Sequence, residues 1–135
     1  MENEIGGDVN LPHVPYTVLA IDLGETTGIA LYDVVTRQLR CDSAENPFDI
    51  VPLILLIKPH SVILERFPDN RTVSTEVELA YGTLSTTSVL ISPGAWKPFM
   101  KGKKRYFPQV TCKHEKDAVN MLRYYLLING GEDIS

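Results

Sequence analysis

At 135 residues the chain is long enough for one domain with a real core and too short for two. Its 44% hydrophobic and 22% charged residues are ordinary for a globular protein, and no apolar run approaches the roughly 18 residues that a membrane helix needs. Seventeen acids against thirteen Lys and Arg leave a formal charge of -4, which argues against a protein that grips nucleic acid over its whole surface.

Residues 1–15 contain Gly6, Gly7, Pro12 and Pro15 with no hydrophobic period, and read as a flexible lead-in without the apolar stretch of a signal peptide. Residues 17–22 form a nearly continuous apolar run ending in Asp22, the pattern of a strand covered on both faces. A turn around Gly24 and Gly28 leads to a second strand at 29–32, and a turn at 33–36 leads to a third, more exposed strand at 37–43. Asn46 and Pro47 have the residue types of a helix N-cap and first position, so a helix is expected over 47–57, with Pro52 near its first turn and Pro59 beyond its end. Residues 61–65 form another buried strand, which also ends in an acid, Glu65. Val77, Ala80, Tyr81 and Leu84 fall at helical spacing and predict an amphipathic helix over 73–86. A fifth strand at 88–92 is closed by Pro93-Gly94. The stretch 93–110 then reads as a long basic loop before a last helix at 113–128, whose apolar stripe is Ala118, Met121, Leu122, Tyr125 and Leu126. Three strands followed by alternating helices and strands predict an α/β fold: a five-stranded mixed sheet, three antiparallel strands then parallel additions, with helices on both faces.

Two buried strands ending in carboxylates are the chemical signal. An ionised acid in apolar surroundings costs several kcal/mol unless something offsets it, and open sheets bind ligands beyond the carboxyl ends of their strands. If the two strands are parallel neighbours, Asp22 and Glu65 sit side by side, and a divalent cation is the usual remedy for their repulsion. His114 and Asp117 are three residues apart on one face of the last helix. Taken singly, each has a structural reading: Asp22 as a turn cap, Glu65 as a partner of Arg66 or Lys58, His114 as a surface residue, Asp117 as a helix-dipole acid. Taken together they offer oxygen and imidazole donors suited to Mg²⁺ or Mn²⁺. Between Trp96 and Phe107, Lys97, Lys101, Lys103, Lys104 and Arg105 occur with no acid among them, a local phosphate-binding segment or a solvated loop. Cys41 and Cys112 lie in no zinc-ligand or Cys-x-x-Cys spacing and read as reduced thiols.

Three segments carry a resemblance. Ala20-Ile21-Asp22-Leu23-Gly24 with Thr27-Gly28-Ile29-Ala30, then Val62-Ile63-Leu64-Glu65-Arg66-Phe67, then His114-Glu115-Lys116-Asp117-Ala118 resemble the first-strand, fourth-strand and last-helix motifs of RuvC-type Holliday junction resolvases, a compact, phage-like form of the ribonuclease H-like superfamily. The resemblance implies a single nuclease domain over 16–129, between the lead-in 1–15 and a C-terminal tail 130–135. It also implies a cytoplasmic homodimer that nicks paired strands of a four-way junction or other branched DNA. Asp22, Glu65, His114 and Asp117 would be the catalytic and metal-binding residues, holding two Mg²⁺ or Mn²⁺ ions. A lysine beyond the fifth strand would assist, Phe67 would either stack on a base at the branch or be a core aromatic, and the helix at 73–86 would form the dimer contact. Lys97, Lys101, Lys103, Lys104 and Arg105 would bind DNA. The alternatives are a ribonuclease H-like nuclease that matures RNA, a junction-binding module without cleavage, and, from the glycine turn alone, a phosphate loop of the actin and sugar-kinase type.

Overall fold

A computed structural model of the chain describes residues 16–23, 26–45, 49–65, 87–130 and 132–134. The lead-in at 1–15, Asn46, Pro47, Phe67 and the helix expected over 73–86 lie outside the described residues.

Strand β1 (Thr17–Asp22) pairs antiparallel with β2 (Thr27–Asp33), which pairs antiparallel with β3 (Gln38–Ala44), giving the expected meander. The β2–β3 turn is closed by Asp33, whose Oδ1 accepts the N–H groups of Val35 and Thr36 at 2.9 and 3.2 Å, and by Arg37 in the left-handed region at φ 63°. Helix α1 (Ile50–Ile57) starts three residues later than expected, with Asp49 at its N-cap position and Pro52 still within the first turn, where a missing N–H costs nothing. It ends at Lys58, left-handed at φ 53°, whose N–H bonds the Ile54 carbonyl at 2.8 Å. This crossover returns the chain to β4 (Ser61–Glu65), parallel to β1, and β5 (Thr87–Ile91) then adds parallel to β4. The sheet order is β3-β2-β1-β4-β5, a five-stranded mixed sheet as predicted.

The stretch 93–110 is not the continuous loop expected. Pro93–Met100 forms a helix, α2, with Ser92 extended at its N-cap and Pro93 in its first turn. Ser-Pro at this point begins a helix rather than only ending a strand. Pro98, which cannot bond back to Gly94, lies two residues before its end. Helix α3 (Lys113–Asn129) follows. Glu115, in its first turn, is buried and accepts both the N–H and the hydroxyl of Thr111 at 2.9 and 3.0 Å, satisfying a backbone donor ahead of the helix.

Side-chain alternation sorts the core into two layers. Leu19, Ile21, Val62 and Leu64 pack on one face of the sheet against Ile50 and Ile54 of α1. Val18, Ala20 and Ile63 face the other way, against Trp96 and Met100 of α2 and Ala118, Val119, Met121 and Leu122 of α3. Helices therefore cover both faces. Ile134, in the segment expected as a tail, is buried in this second layer. Arg123, also buried, explains how that segment is held: its guanidinium donates to both Asp133 oxygens at 2.9–3.1 Å and to the Lys103 carbonyl at 2.6 Å. Burial would raise the Asp133 carboxyl, but the Arg123 and Ile134 N–H bonds outweigh it and hold that carboxyl below its ordinary value. Arg123→Ala should remove the guanidinium from the Lys103 carbonyl and from both Asp133 oxygens, leaving Asp133 with the Ile134 N–H and the more distant Arg105. A cost of about 2 kcal/mol is expected, below that of a fully buried pair because Asp133 is partly exposed, and thermal unfolding would show it as a drop of roughly 5–10 °C.

Candidate active site

The two strand-end acids come from the alternation just described. Asp22 continues the Val18–Ala20 face and Glu65 the Ile63 face, so both point toward α2 and α3. The parallel register pairs Val18 with Ser61 through Ile21 with Leu64, which carries Asp22 and Glu65 to the same level. Both are buried, at 7% and 2% exposure, where a lone carboxylate is costly.

Helix α3 crosses β1 and β2 and brings its first turn onto this end of the sheet. The approach is as close as backbone allows. A Cβ on Gly28, the β2 residue paired with Asp22, would lie 2.2 Å from the His114 carbonyl carbon and oxygen and 2.5 Å from the Glu115 nitrogen. With glycine there, His114 Nδ1 reaches Asp22 Oδ2 at 3.2 Å. Asp117, one turn further on, is bound by Lys113 Nζ at 2.8 Å. From the other side, Trp96 of α2 donates its indole N–H to Glu65 Oε2 at 2.5 Å.

The electrostatics are those of crowded acids. Burial pushes the Asp22 carboxyl above its usual range; the His114 hydrogen bond opposes this without prevailing, and the Asp117 charge adds to the rise. Burial likewise raises Glu65 against the Trp96 hydrogen bond, with the charges of Asp22 and Asp117 adding to it and Lys97 opposing. Asp22, Glu65 and Asp117 thus share one field. Among the described residues no three His, Cys, Asp or Glu side chains converge as a ready-made metal cluster. They meet instead in pairs: His114 with Asp22, Trp96 with Glu65, Lys113 with Asp117. The donor set still fits a hard divalent cation, because the carboxylates are desolvated and mutually repelling while the lysine on Asp117 is a surface group free to swing away.

Beside the acids a groove of about 550 Å³ opens between α2 and α3, lined by Lys97, Lys101, Lys104, Lys116, Asn120 and Asp117 among others. Three of the five basic residues singled out in the sequence therefore face one groove, which Asp117 also lines. The other two are engaged elsewhere. Lys103 Nζ binds the Phe99 carbonyl at 2.7 Å, and Arg105 stacks over Phe107 while bonding the Ile134 carbonyl and lying 3.4 Å from Asp133. Lys116 follows the basic segment in the sequence but was not counted with it as a binding residue, and the hydrogen bond of Trp96 and the packing role of Gly28 were missed. Only the Ser92-Pro93 helix start, which puts Trp96 on a helix, had a local signal. Both cysteines are free, and burial pushes the Cys41 thiol up to about 12, far from a nucleophile.

Among solved structures, RuvC of Thermus thermophilus superposes with a TM-score of 0.61 at 12% identity, over 84% of this chain and 97% of that one. The Fowlpox virus resolvase, solved with substrate Holliday junction DNA, gives a TM-score of 0.47 at 12% identity, over 83% of this chain and 76% of that one. No protein-family model and no curated protein matches the chain. At this identity the Thermus likeness establishes the architecture, a RuvC-like, ribonuclease H-like fold. Among the described residues no helix is long and apolar enough to cross a membrane.

Proposed function

We propose that the chain is a metal-dependent endonuclease that cuts phosphodiesters in branched DNA, with the four-way junction as its preferred substrate. The observation that carries this reading is the pair of buried strand-end carboxylates, Asp22 held by His114 of α3 and Glu65 by Trp96 of α2, between helices whose other residues line a lysine-rich groove with Asp117. Asp22, Glu65, His114 and Asp117 would hold two Mg²⁺ or Mn²⁺ ions, which when bound supply an activated water and stabilise the leaving oxygen.

The rest is the work of the protein's own side chains. Lys97, Lys101, Lys104 and Lys116 present a run of ammonium groups that can follow a phosphate backbone, while the acidic remainder of the surface discourages binding elsewhere. Asp117 also lines the groove, so a backbone lying in it would pass beside one of the proposed ligands. His114, hydrogen-bonded to Asp22, orients that carboxylate and keeps an imidazole at the entrance. Paired nicks on a junction need two such sites, which a homodimer would provide. The topology of the Thermus neighbour, a protein named RuvC, is compatible with this reading.

The test is cleavage of labelled four-way junction, duplex, flap, single-stranded DNA and structured RNA in Mg²⁺, Mn²⁺ or EDTA. Paired nicks confined to the junction and lost in EDTA are expected. Metal-dependent cutting of flap DNA or RNA instead would retain the site and replace the substrate. Junction binding with no cleavage in either metal would overturn the nuclease reading in favour of a binding module.

A further inference from the structure

Glu65 is a buried carboxylate whose hydrogen-bond partner among the described side chains is Trp96. The partner is unusual in kind. A buried acid is ordinarily compensated by Arg, Lys or a backbone N–H group, and a cationic partner would neutralise it and compete with any metal for its oxygens. The indole N–H is neutral and has one hydrogen to give. It therefore restrains Glu65 without removing its charge. It also occupies Oε2 alone; among the described residues Oε1 accepts no hydrogen bond.

Trp96 is itself immobilised. It is 3% exposed, in the core layer with Met100, Phe107, Val119 and Ile63, and it sits in the middle of α2, so its N–H is aimed by a helix packed on the sheet. Lys97 Nζ lies 5.5 Å from the centre of its ring, which places the first lysine of the groove against the residue that holds the carboxylate.

We propose that Trp96 is a positioning residue for the metal-binding carboxylate: its N–H fixes the Glu65 rotamer through Oε2 and, being neutral, does not itself remove the charge that would hold a divalent cation. This rests on the reading of Glu65 as a metal ligand given above. Hydrogen-bonded partners of ligating carboxylates affect metal affinity strongly, typically by about 10- to 100-fold when removed.

Trp96 is the only tryptophan in the chain, so its emission reports on this contact directly. Two measurements test the proposal. In the wild-type protein, Mg²⁺ should change Trp96 emission along a saturable curve, and Asp22→Asn should abolish that change. In Trp96→Phe, which keeps an aromatic ring in the core and removes the donor, Mn²⁺ affinity followed by electron paramagnetic resonance should fall roughly 10- to 100-fold. Cleavage should then be restored by raising the metal concentration, with KM for the DNA unchanged, which a merely structural role would not produce. If Trp96→Phe binds Mn²⁺ as tightly as wild type, the positioning role is wrong while the metal site stands. Should Trp96→Phe fail to fold, the emission measurement decides: emission indifferent to Mg²⁺ at concentrations where Mn²⁺ binds overturns the role. A wild-type protein that binds no Mn²⁺ at all removes the metal site and this role together.

Discussion

Asp22→Asn is expected to abolish cleavage and, in the absence of metal, to raise the stability of the fold. Loss of activity should reach about 10³-fold or more, on the order of 4 kcal/mol of transition-state stabilisation, because the carboxylate proposed above as a metal ligand becomes neutral. The gain in stability comes from the same change. Burial and the Asp117 charge raise the Asp22 carboxyl above its ordinary value, so the folded state prefers that group neutral. Asparagine has the same shape, is neutral at every pH, and its carbonyl can still accept the His114 Nδ1–H. A gain of about 1 kcal/mol is of the size seen when a site strained for function is relieved.

The pH dependence has a definite sign. A carboxyl whose folded pKa lies above its unfolded one binds more protons folded than unfolded between the two values, so stability falls as pH rises through that window. Asp22 and Glu65 both act in this direction; the mutant loses one of the two. The difference in Tm, Asp22→Asn minus wild type, should therefore be near zero below the ordinary carboxyl range. It should grow as pH rises through the raised value and level off above it. Mg²⁺ added to wild type at pH 8 should close the gap from the other side. A difference that does not vary between pH 4 and 8 would mean that the two carboxylates are not the strained pair inferred here.

How much of this was legible beforehand follows from the range of the interactions involved. Strands β1 and β4 could be placed to the residue because a strand covered on both faces writes a continuous apolar run, and the acids that end those runs stand out against it. Period-two alternation then carries Asp22 and Glu65 to one face. Helix α2 was obscured by two competing signals: Pro93-Gly94 has the composition of a turn, and five basic residues within the nine positions 97–105 have the composition of a loop. The deciding feature, Ser92 followed by Pro93, is a helix-start pattern that the turn reading displaced. Trp96 with Glu65, Arg123 with Asp133 and the captivity of Arg105 are contacts across 31, 10 and 29 residues, and no local pattern encodes them. The lysines divide for the same reason: whether a cation lines the groove or folds back on a carbonyl depends on where α2 ends.

Gly28→Ala should cost about 2–3 kcal/mol of stability and roughly a hundredfold in cleavage rate, the second-largest effect expected from a single substitution in this chain. The reason is space and not backbone conformation. Gly28 lies within β2, paired with Asp22 on one side and Ser43 on the other, and its φ is outside the left-handed region, so alanine is conformationally acceptable there. What alanine meets is the main chain of α3: the His114 carbonyl at 2.2 Å and the Glu115 nitrogen at 2.5 Å. No rotamer change relieves a collision with backbone, so the first turn of the helix must retreat by about 1 Å to reach ordinary contact distance. That turn carries the His114–Asp22 hydrogen bond, the Thr111–Glu115 contacts that start the helix, and Asp117 one turn on. A retreat there loosens three attachments of the site at once while leaving the acids on the sheet in place. Gly94→Ala is the matched control, since a Cβ at that position meets nothing closer than the Ser92 hydroxyl at 4.0 Å; cleavage should be unchanged and stability the same or slightly higher, as for any unclashing glycine in a helix. Thermal unfolding and single-turnover cleavage of the two variants check the argument. If Gly28→Ala matches Gly94→Ala in both, α3 does not rest on β2 at this point, and the placement of His114 and Asp117 over the strand ends must be abandoned with it.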